Sequence, residues 1–308
     1  MAGDRRFRQL AALAVAAMAG VAWLEGRAQQ QFRAGVDLVR LPVVVSGRDG
    51  VLVRGLAADA FEIREDGVVQ TIAAFAEGAP GDAVPLHVGL LLDASGSMEK
   101  DLREAANAAV QFVTALEEAA DVTFVDFDSA IRIGRFEPAS YPRLFERIRS
   151  PKADGMTALY DAIASYVRGA DARPGQHVLL MYTDGGDSAS RINYSQLLDL
   201  LRAGNVIVYA LGYLENQSGT ARVANQMQLG SIARESGGDA FFPGSVRDVT
   251  KAYARILDEL GSRYTLGYVS TNTKADGRYR KIQVRLSGPE HRSARVRARP
   301  GYVPVPQR

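Results

Sequence analysis

The chain has 308 residues, 47% hydrophobic and 23% charged, with 30 Gly, 12 Pro and no Cys. That composition excludes a disordered polymer and a disulfide-held scaffold, and it leaves room for one large core plus one or two small modules. The net charge of +2 hides a net of −9 over residues 29–261 and +9 from Ser262 onward, where eleven Lys and Arg face Asp276 and Glu290. Exposed charges are screened beyond about 8 Å at physiological ionic strength, so this asymmetry alone names no ligand.

Residues 1–28 read as an export signal. Arg5, Arg6 and Arg8 precede an apolar run from Leu10 to Leu24, and Gly26-Arg27-Ala28 offers small residues to a signal peptidase. The run of about 15 residues is short of the ~20 that a spanning helix needs, so no stable membrane span is expected once the signal is cleaved; an uncleaved anchor is the competing reading. Without Cys, neither a lipoprotein anchor nor a disulfide is possible, and stability must come from packing. An extracytoplasmic home, periplasmic or secreted, is the expectation.

Residues 29–84 read as a small β module with a linker. Val43-Val44-Val45, Val51-Leu52-Val53 and Phe61-Glu62-Ile63-Arg64 are strand-like, with turn signals at Arg48-Asp49-Gly50 and Glu65-Asp66-Gly67. Ala79-Pro80-Gly81-Asp82-Ala83 reads as the linker.

Residues 85–260 alternate strand and helix. Apolar runs at 86–92, 122–127, 177–182 and 206–211 are short and rich in Val, Ile, Leu and Phe, as parallel strands covered on both faces should be. After Met98, the residues Leu102, Ala105, Ala109, Phe112, Val113 and Leu116 recur at near-helical spacing. The pattern predicts an α/β fold, a doubly wound, mostly parallel open sheet with small β modules at both ends, whose ligands bind at the carboxyl ends of strands.

Two strands end in acid. Leu90-Leu91-Leu92 runs into Asp93-Ala94-Ser95-Gly96-Ser97, and His177 to Thr183 runs into Asp184. Between them, Thr157 follows a Gly-containing loop and opens a helix. One reading is capping, since Asp and Ser satisfy the free N–H groups of a first helical turn. The other is a hard divalent cation, Mg2+, Mn2+ or Ca2+, on oxygen donors. Neutral hydroxyls leave such an ion most of its charge, so an acidic group from outside can complete its shell.

Residues 261–308 return to β character and are basic. Tyr264 to Val269 and Tyr279 to Leu286 flank a turn at Ala275-Asp276-Gly277. Arg295, Arg297 and Arg299 alternate along one face; a solvated edge that discourages sheet aggregation is favoured there over a polyanion site.

The Asp-x-Ser-x-Ser motif, the later Thr and the later strand-end Asp resemble the von Willebrand factor A family with its metal-ion-dependent adhesion site. The resemblance spans roughly Pro85 to Leu260, about the usual size of one domain. It implies that Asp93, Ser95, Ser97, Thr157 and Asp184 hold the metal, and that a protein partner presents an Asp or Glu to it; no nucleic acid is expected. The whole arrangement resembles exported von Willebrand factor A-related proteins frequent in acidobacteria.

Three other readings compete. Asp126 and Asp128 resemble the aspartyl nucleophile loop of haloacid dehalogenase-type phosphatases, with Asp184 and Asp187 as Mg2+ ligands, but that loop follows a second strand instead of opening the domain. A serine hydrolase built on Ser95 lacks the Gly-x-Ser-x-Gly elbow, and His87 and His177 fall within predicted strands. A metal-independent envelope scaffold is the third. The expectation is no enzyme, but a protein-binding or adhesion module that depends on a divalent cation.

Overall fold

A computed structural model describes residues 38–78, 84–116, 119–170, 172–215, 217, 219–274 and 276–304. The export signal expected over residues 1–28, the linker Ala79–Ala83 and Ala275 lie outside the described residues. In chain order the strands are β1 (Leu38–Ser46), β2 (Phe61–Glu65), β3 (Val68–Gln70), β4 (Ile72–Glu77), β5 (Leu86–Asp93), β6 (Ala119–Phe127), β7 (Ile131–Phe136), β8 (Gln176–Thr183), β9 (Val206–Gly212), β10 (Ala240–Phe241), β11 (Tyr264–Val269), β12 (Arg280–Leu286), β13 (Arg295–Arg297) and β14 (Gly301–Tyr302). The helices are α1 (Leu102–Thr114), α2 (Tyr141–Arg149), α3 (Leu159–Ala170), α4 (Tyr194–Ala203), α5 (Gly219–Ser236) and α6 (Val246–Ser262).

The central sheet runs β10-β9-β8-β5-β6-β7, parallel except for the antiparallel edge β7. Every residue of β5 is buried, because helices cover both faces and each side chain must find apolar company. Alternation sends Val88, Leu90 and Leu92 into one core with α1, α2 and α6, while Leu91 joins α3, α4 and α5 in the other. Each such leucine contributes about 1.5–3 kcal/mol by leaving water. Gly89 is required by packing: an added Cβ would lie 2.4 Å from the Tyr166 ring and 2.6 Å from Leu179. The chain winds from β5 outward to β6 and then returns past β5 to β8, so the order reverses between β5 and β8, and the crevice at their carboxyl ends is where this fold places a ligand.

The two flanks interleave. Two four-stranded antiparallel sheets form, β13-β1-β11-β4 and β14-β12-β2-β3, each mixing strands from before and after the central domain. They share one core of Leu41, Val43, Val45, Phe61, Ile63, Tyr264, Leu266, Tyr268 and Ile282. Asp66 (φ 48°) and Gly67 (φ 85°) make the left-handed pair that a two-residue hairpin between β2 and β3 demands. Val51-Leu52-Val53 forms no strand; only Leu52 bridges to Ser46, and Val51 is exposed.

The Arg295, Arg297 and Arg299 face is a correction to the solvated-edge expectation. Arg295 is exposed, but Arg297 reaches Glu259 on α6, and Arg299, buried, donates to the Arg202 carbonyl at 2.8 Å. Alternation put these residues on one face, and docking against the central domain turned that face inward. Arg299 and the Val303 amide together cap the carboxyl end of α4, where unsatisfied carbonyls favour positive charge.

His87 and His177 sit side by side in register at the starts of β5 and β8. Their rings stack 4.8 Å apart, tilted by 17°. His87 Nδ1 meets Asp121 at 2.9 Å, and His177 Nε2 meets the Arg173 carbonyl at 3.0 Å. Burial, aided by the neighbouring His87 and Arg173 charges, pushes His177 below its ordinary 6.5. The folded ring therefore holds its proton less tightly than the unfolded chain. Its share of stability is fully present above 6.5 and is lost as pH falls from there through the lowered folded value. Chemical denaturation of wild type and His177→Phe between pH 7.5 and 5 is expected to show the wild type losing its advantage on acidification; a pH-independent difference would contradict this.

Candidate metal site

β5 ends at Asp93 because its carboxylate accepts the Ser95 amide at 2.9 Å and turns the chain. A single helical turn, Gly96–Met98, follows and brings Ser95 Oγ within 3.1 Å of Ser97 Oγ. Asp93 and Ser95 are buried, while Ser97 faces outward. The Thr157 loop is laced onto this turn by Asp154 N to Ala94 O at 2.9 Å and Gly96 N to Gly155 O at 3.2 Å. Asp128 O also accepts Ala158 N at 2.9 Å, and Ser129 Oγ accepts Met156 N at 2.9 Å, which fixes Thr157 from the β6–β7 turn.

The loop after β8 completes the rim. The Thr157 amide donates to Ser188 Oγ at 3.1 Å, and the Thr157 carbonyl accepts the Ser188 and Ala189 amides at 2.9 Å each. Asp187 accepts the Tyr160 amide at 3.1 Å and the Ser190 hydroxyl at 2.6 Å. Asp161 holds the Arg191 and Ile192 amides at 3.0 and 3.2 Å, so it anchors the loop. Asp184 is half-buried, and its carbonyl accepts Gln217 Nε2 at 2.7 Å and Asn225 Nδ2 at 3.2 Å. Asp93, Ser95, Ser97, Thr157 and Asp184 thus lie on three hydrogen-bonded loops at one end of the sheet.

Burial pushes the Asp93 carboxyl up to about 6, against hydrogen bonds from Ser95 and Thr183 that favour its charge, and the nearby Asp184 charge adds to the rise. From an ordinary 3.8, that shift corresponds to a destabilisation of the metal-free fold at neutral pH of roughly 3 kcal/mol. Five carboxylates are buried among the described residues: Glu65, Asp93, Asp121, Asp126 and Glu259. Arg280 pairs with Glu65, Arg173 with Asp121, Arg132 and Arg147 with Asp126, and Arg255 and Arg297 with Glu259. Among the described residues Asp93 has no ion pair, and the Asp184 charge that acts on it is negative.

The donor set suits a hard cation: two carboxylates, three hydroxyls and no nitrogen or sulfur. Among the described residues, no group of three or more acidic, His or Cys side chains is placed to hold a metal, so a cation here would draw most of its protein ligands from hydroxyls. Asp126, Asp128, His87 and His177, which the rival readings also need, are engaged elsewhere. Asp126 is clamped between Arg132 and Arg147, and Arg132 also reaches Asp128 at 2.9 Å. His87 and His177 lie near the amino ends of β5 and β8; the six residues from His87 to Asp93 span on the order of 20 Å.

Sequence reasoning missed Thr183, Ser188, Ser190, Gln217 and Asn225. Thr183 had a local signal, a hydroxyl directly before the strand-end Asp, and Ser190 bonds Asp187 three residues away; Ser188, Gln217 and Asn225 reach Thr157 and Asp184 across 31 to 41 residues, which no local pattern encodes.

The profile of the von Willebrand factor type A domain matches residues 87–255. No curated protein matches the chain. A von Willebrand factor type A protein from Catenulispora acidiphila is 13% identical, with a TM-score of 0.52 over 88% of this chain and 75% of that one. An aerotolerance-related membrane protein from Bacteroides fragilis is 17% identical, with a TM-score of 0.47 over 57% of this chain and 98% of that one. The pilus adhesin SpaC from Lactobacillus rhamnosus GG is 9% identical, with a TM-score of 0.49 over 82% and 48%. At 13% identity the likeness to the Catenulispora acidiphila protein speaks to fold alone. The family profile covers more than half of the 308 residues, and the sheet order and the oxygen-lined crevice agree with it: the chain belongs to the von Willebrand factor type A domain family.

Proposed function

We propose that this is an exported, non-enzymatic protein that binds a protein partner through a divalent cation, Mg2+ or else Mn2+ or Ca2+. Asp93 and Asp184 supply the negative charge, and Ser95, Ser97 and Thr157 supply neutral oxygens. The observation that carries the reading is the isolation of Asp93: alone among the buried carboxylates of the described residues it lacks an arginine, so a cation there offsets an otherwise uncompensated charge. A bound cation keeps much of its charge on such ligands and attracts an Asp or Glu from the partner. Ser97 is exposed and Asp184 half-buried, which leaves that side of the site accessible. Among the described residues no helix is long and apolar enough to cross a membrane.

Protein purified from the envelope of producing cells and starting at or near Gln29 is expected to give saturable one-site heat when titrated with MgCl2, and to capture its partner only without chelator. A retained segment 1–28 would overturn cleavage of the signal and leave an anchored form; protein found only in the cytoplasm would overturn export. Absence of heat would overturn the metal part and leave a metal-independent scaffold.

A further inference from the structure

Thr183, the last residue of β8, is completely buried and belongs to no expected ligand set. Its Oγ1 lies 2.6 Å from Asp93 Oδ2 and 3.0 Å from the Gly185 amide nitrogen. The directions of these two bonds follow from chemistry. An amide N–H only donates, so the hydroxyl oxygen accepts from Gly185 and its single proton goes to Asp93. The other Asp93 oxygen accepts the Ser95 amide at 2.9 Å. The carboxylate is therefore held at both oxygens by donors from two different loops, which fixes the plane of the group.

The same hydroxyl fixes the second acid. Gly185 stands at φ 84°, where an added Cβ would come within 3.0 Å of Asn225 and 3.1 Å of Leu229, so this backbone has little freedom to move toward α5. Its amide is tied to Thr183, and the Asp184 carbonyl is tied to Gln217 and Asn225. The peptide unit after the Asp184 α-carbon is thus held at both its oxygen and its nitrogen, and the unit before it is held at the Thr183 carbonyl, which accepts the Tyr213 amide at 3.0 Å. Like charges in a poorly solvated rim repel, and without such a link the two carboxylates relax apart.

We propose that Thr183 is a positioning residue of the metal site: one hydroxyl bridges the Asp93 carboxylate and the backbone that carries Asp184, so that both acids are held in binding geometry before the cation arrives. The proposal rests on the metal reading above. Residues that orient ligands in this way typically change metal affinity 10–100-fold when lost, because the ordering cost then falls on binding.

Calorimetric titration of MgCl2 into wild type, Thr183→Val and Thr183→Ser separates positioning from packing. Val keeps the side-chain volume and removes the proton; Ser keeps the proton and removes a buried methyl. A positioning role predicts Mg2+ affinity lowered at least about tenfold in Thr183→Val and within about threefold of wild type in Thr183→Ser. A packing role predicts that Ser is the worse of the two. Should Thr183→Val not fold, Thr183→Ala, which adds no steric demand, gives the same comparison against Ser. Wild type and Thr183→Val with equal affinity would overturn the positioning role alone; wild type without any Mg2+ heat would overturn the metal reading and this role with it.

Discussion

Asp93→Asn is expected to abolish Mg2+ binding, lowering affinity by at least about 100-fold, while raising the melting temperature of the metal-free protein. Asp93 supplies formal charge to the site and each hydroxyl supplies only a dipole. Removing that charge therefore weakens a cation more than removing Ser95, Ser97 or Thr157 does. Asn is a better probe than Ala here, because Ala would orphan the buried Thr183 hydroxyl and Ser95 amide, whereas Asn retains an acceptor oxygen. The sign of the stability change follows from the raised pKa. A carboxyl pushed up to about 6 contributes stability that is fully present below 3.8 and lost as pH rises through about 6. At pH 7.5 the metal-free wild type thus carries an unfavourable buried charge that Asn lacks, and a gain of roughly 5 °C is expected for the variant, shrinking toward pH 5. Calorimetric titration and thermal melts in chelator test both halves. Retained Mg2+ affinity, or a lower melting temperature across that range, would falsify the account of Asp93 as an uncompensated charge.

The second large effect lies at the other end of the sheet. Glu259 on α6 is 1% exposed and collects Arg297 from β13, Arg255 at 3.1 Å and the Tyr209 hydroxyl at 3.1 Å. It joins the last helix of the central domain to the outer β module. Glu259→Ala leaves a largely buried guanidinium and a buried phenol without their main acceptor, and breaking such a pair costs about 3–5 kcal/mol. The melting temperature should fall by roughly 10 °C. Replacing both partners, Glu259→Leu with Arg297→Met, should recover most of that loss, since a well-packed apolar pair avoids desolvating the charges. A single variant that melts within about 2 °C of wild type would contradict this account.

What local sequence encodes, it encodes well. The β5, β6, β8 and β9 strands are legible because burial on both faces leaves near-continuous apolar runs, and the alternation with helices implies the parallel sheet. Asp93, Ser95 and Ser97 are legible because a strand-end turn gathers them within five residues, and Thr157 and Asp184 because each marks the start or end of an element. Tertiary structure alone decided the rest. β1 pairs with β11 and β2 with β12 across separations of more than 190 residues, which merges two apparent modules into one core. Alternation assigned Arg295, Arg297 and Arg299 to one face but carried no information on whether that face meets water or Glu259. Thr183 reaches Asp93 from 90 residues away. Periodicity along a chain records which side a residue is on. What that side meets depends on long-range docking, and the docking energy is distributed over contacts that no window of sequence contains.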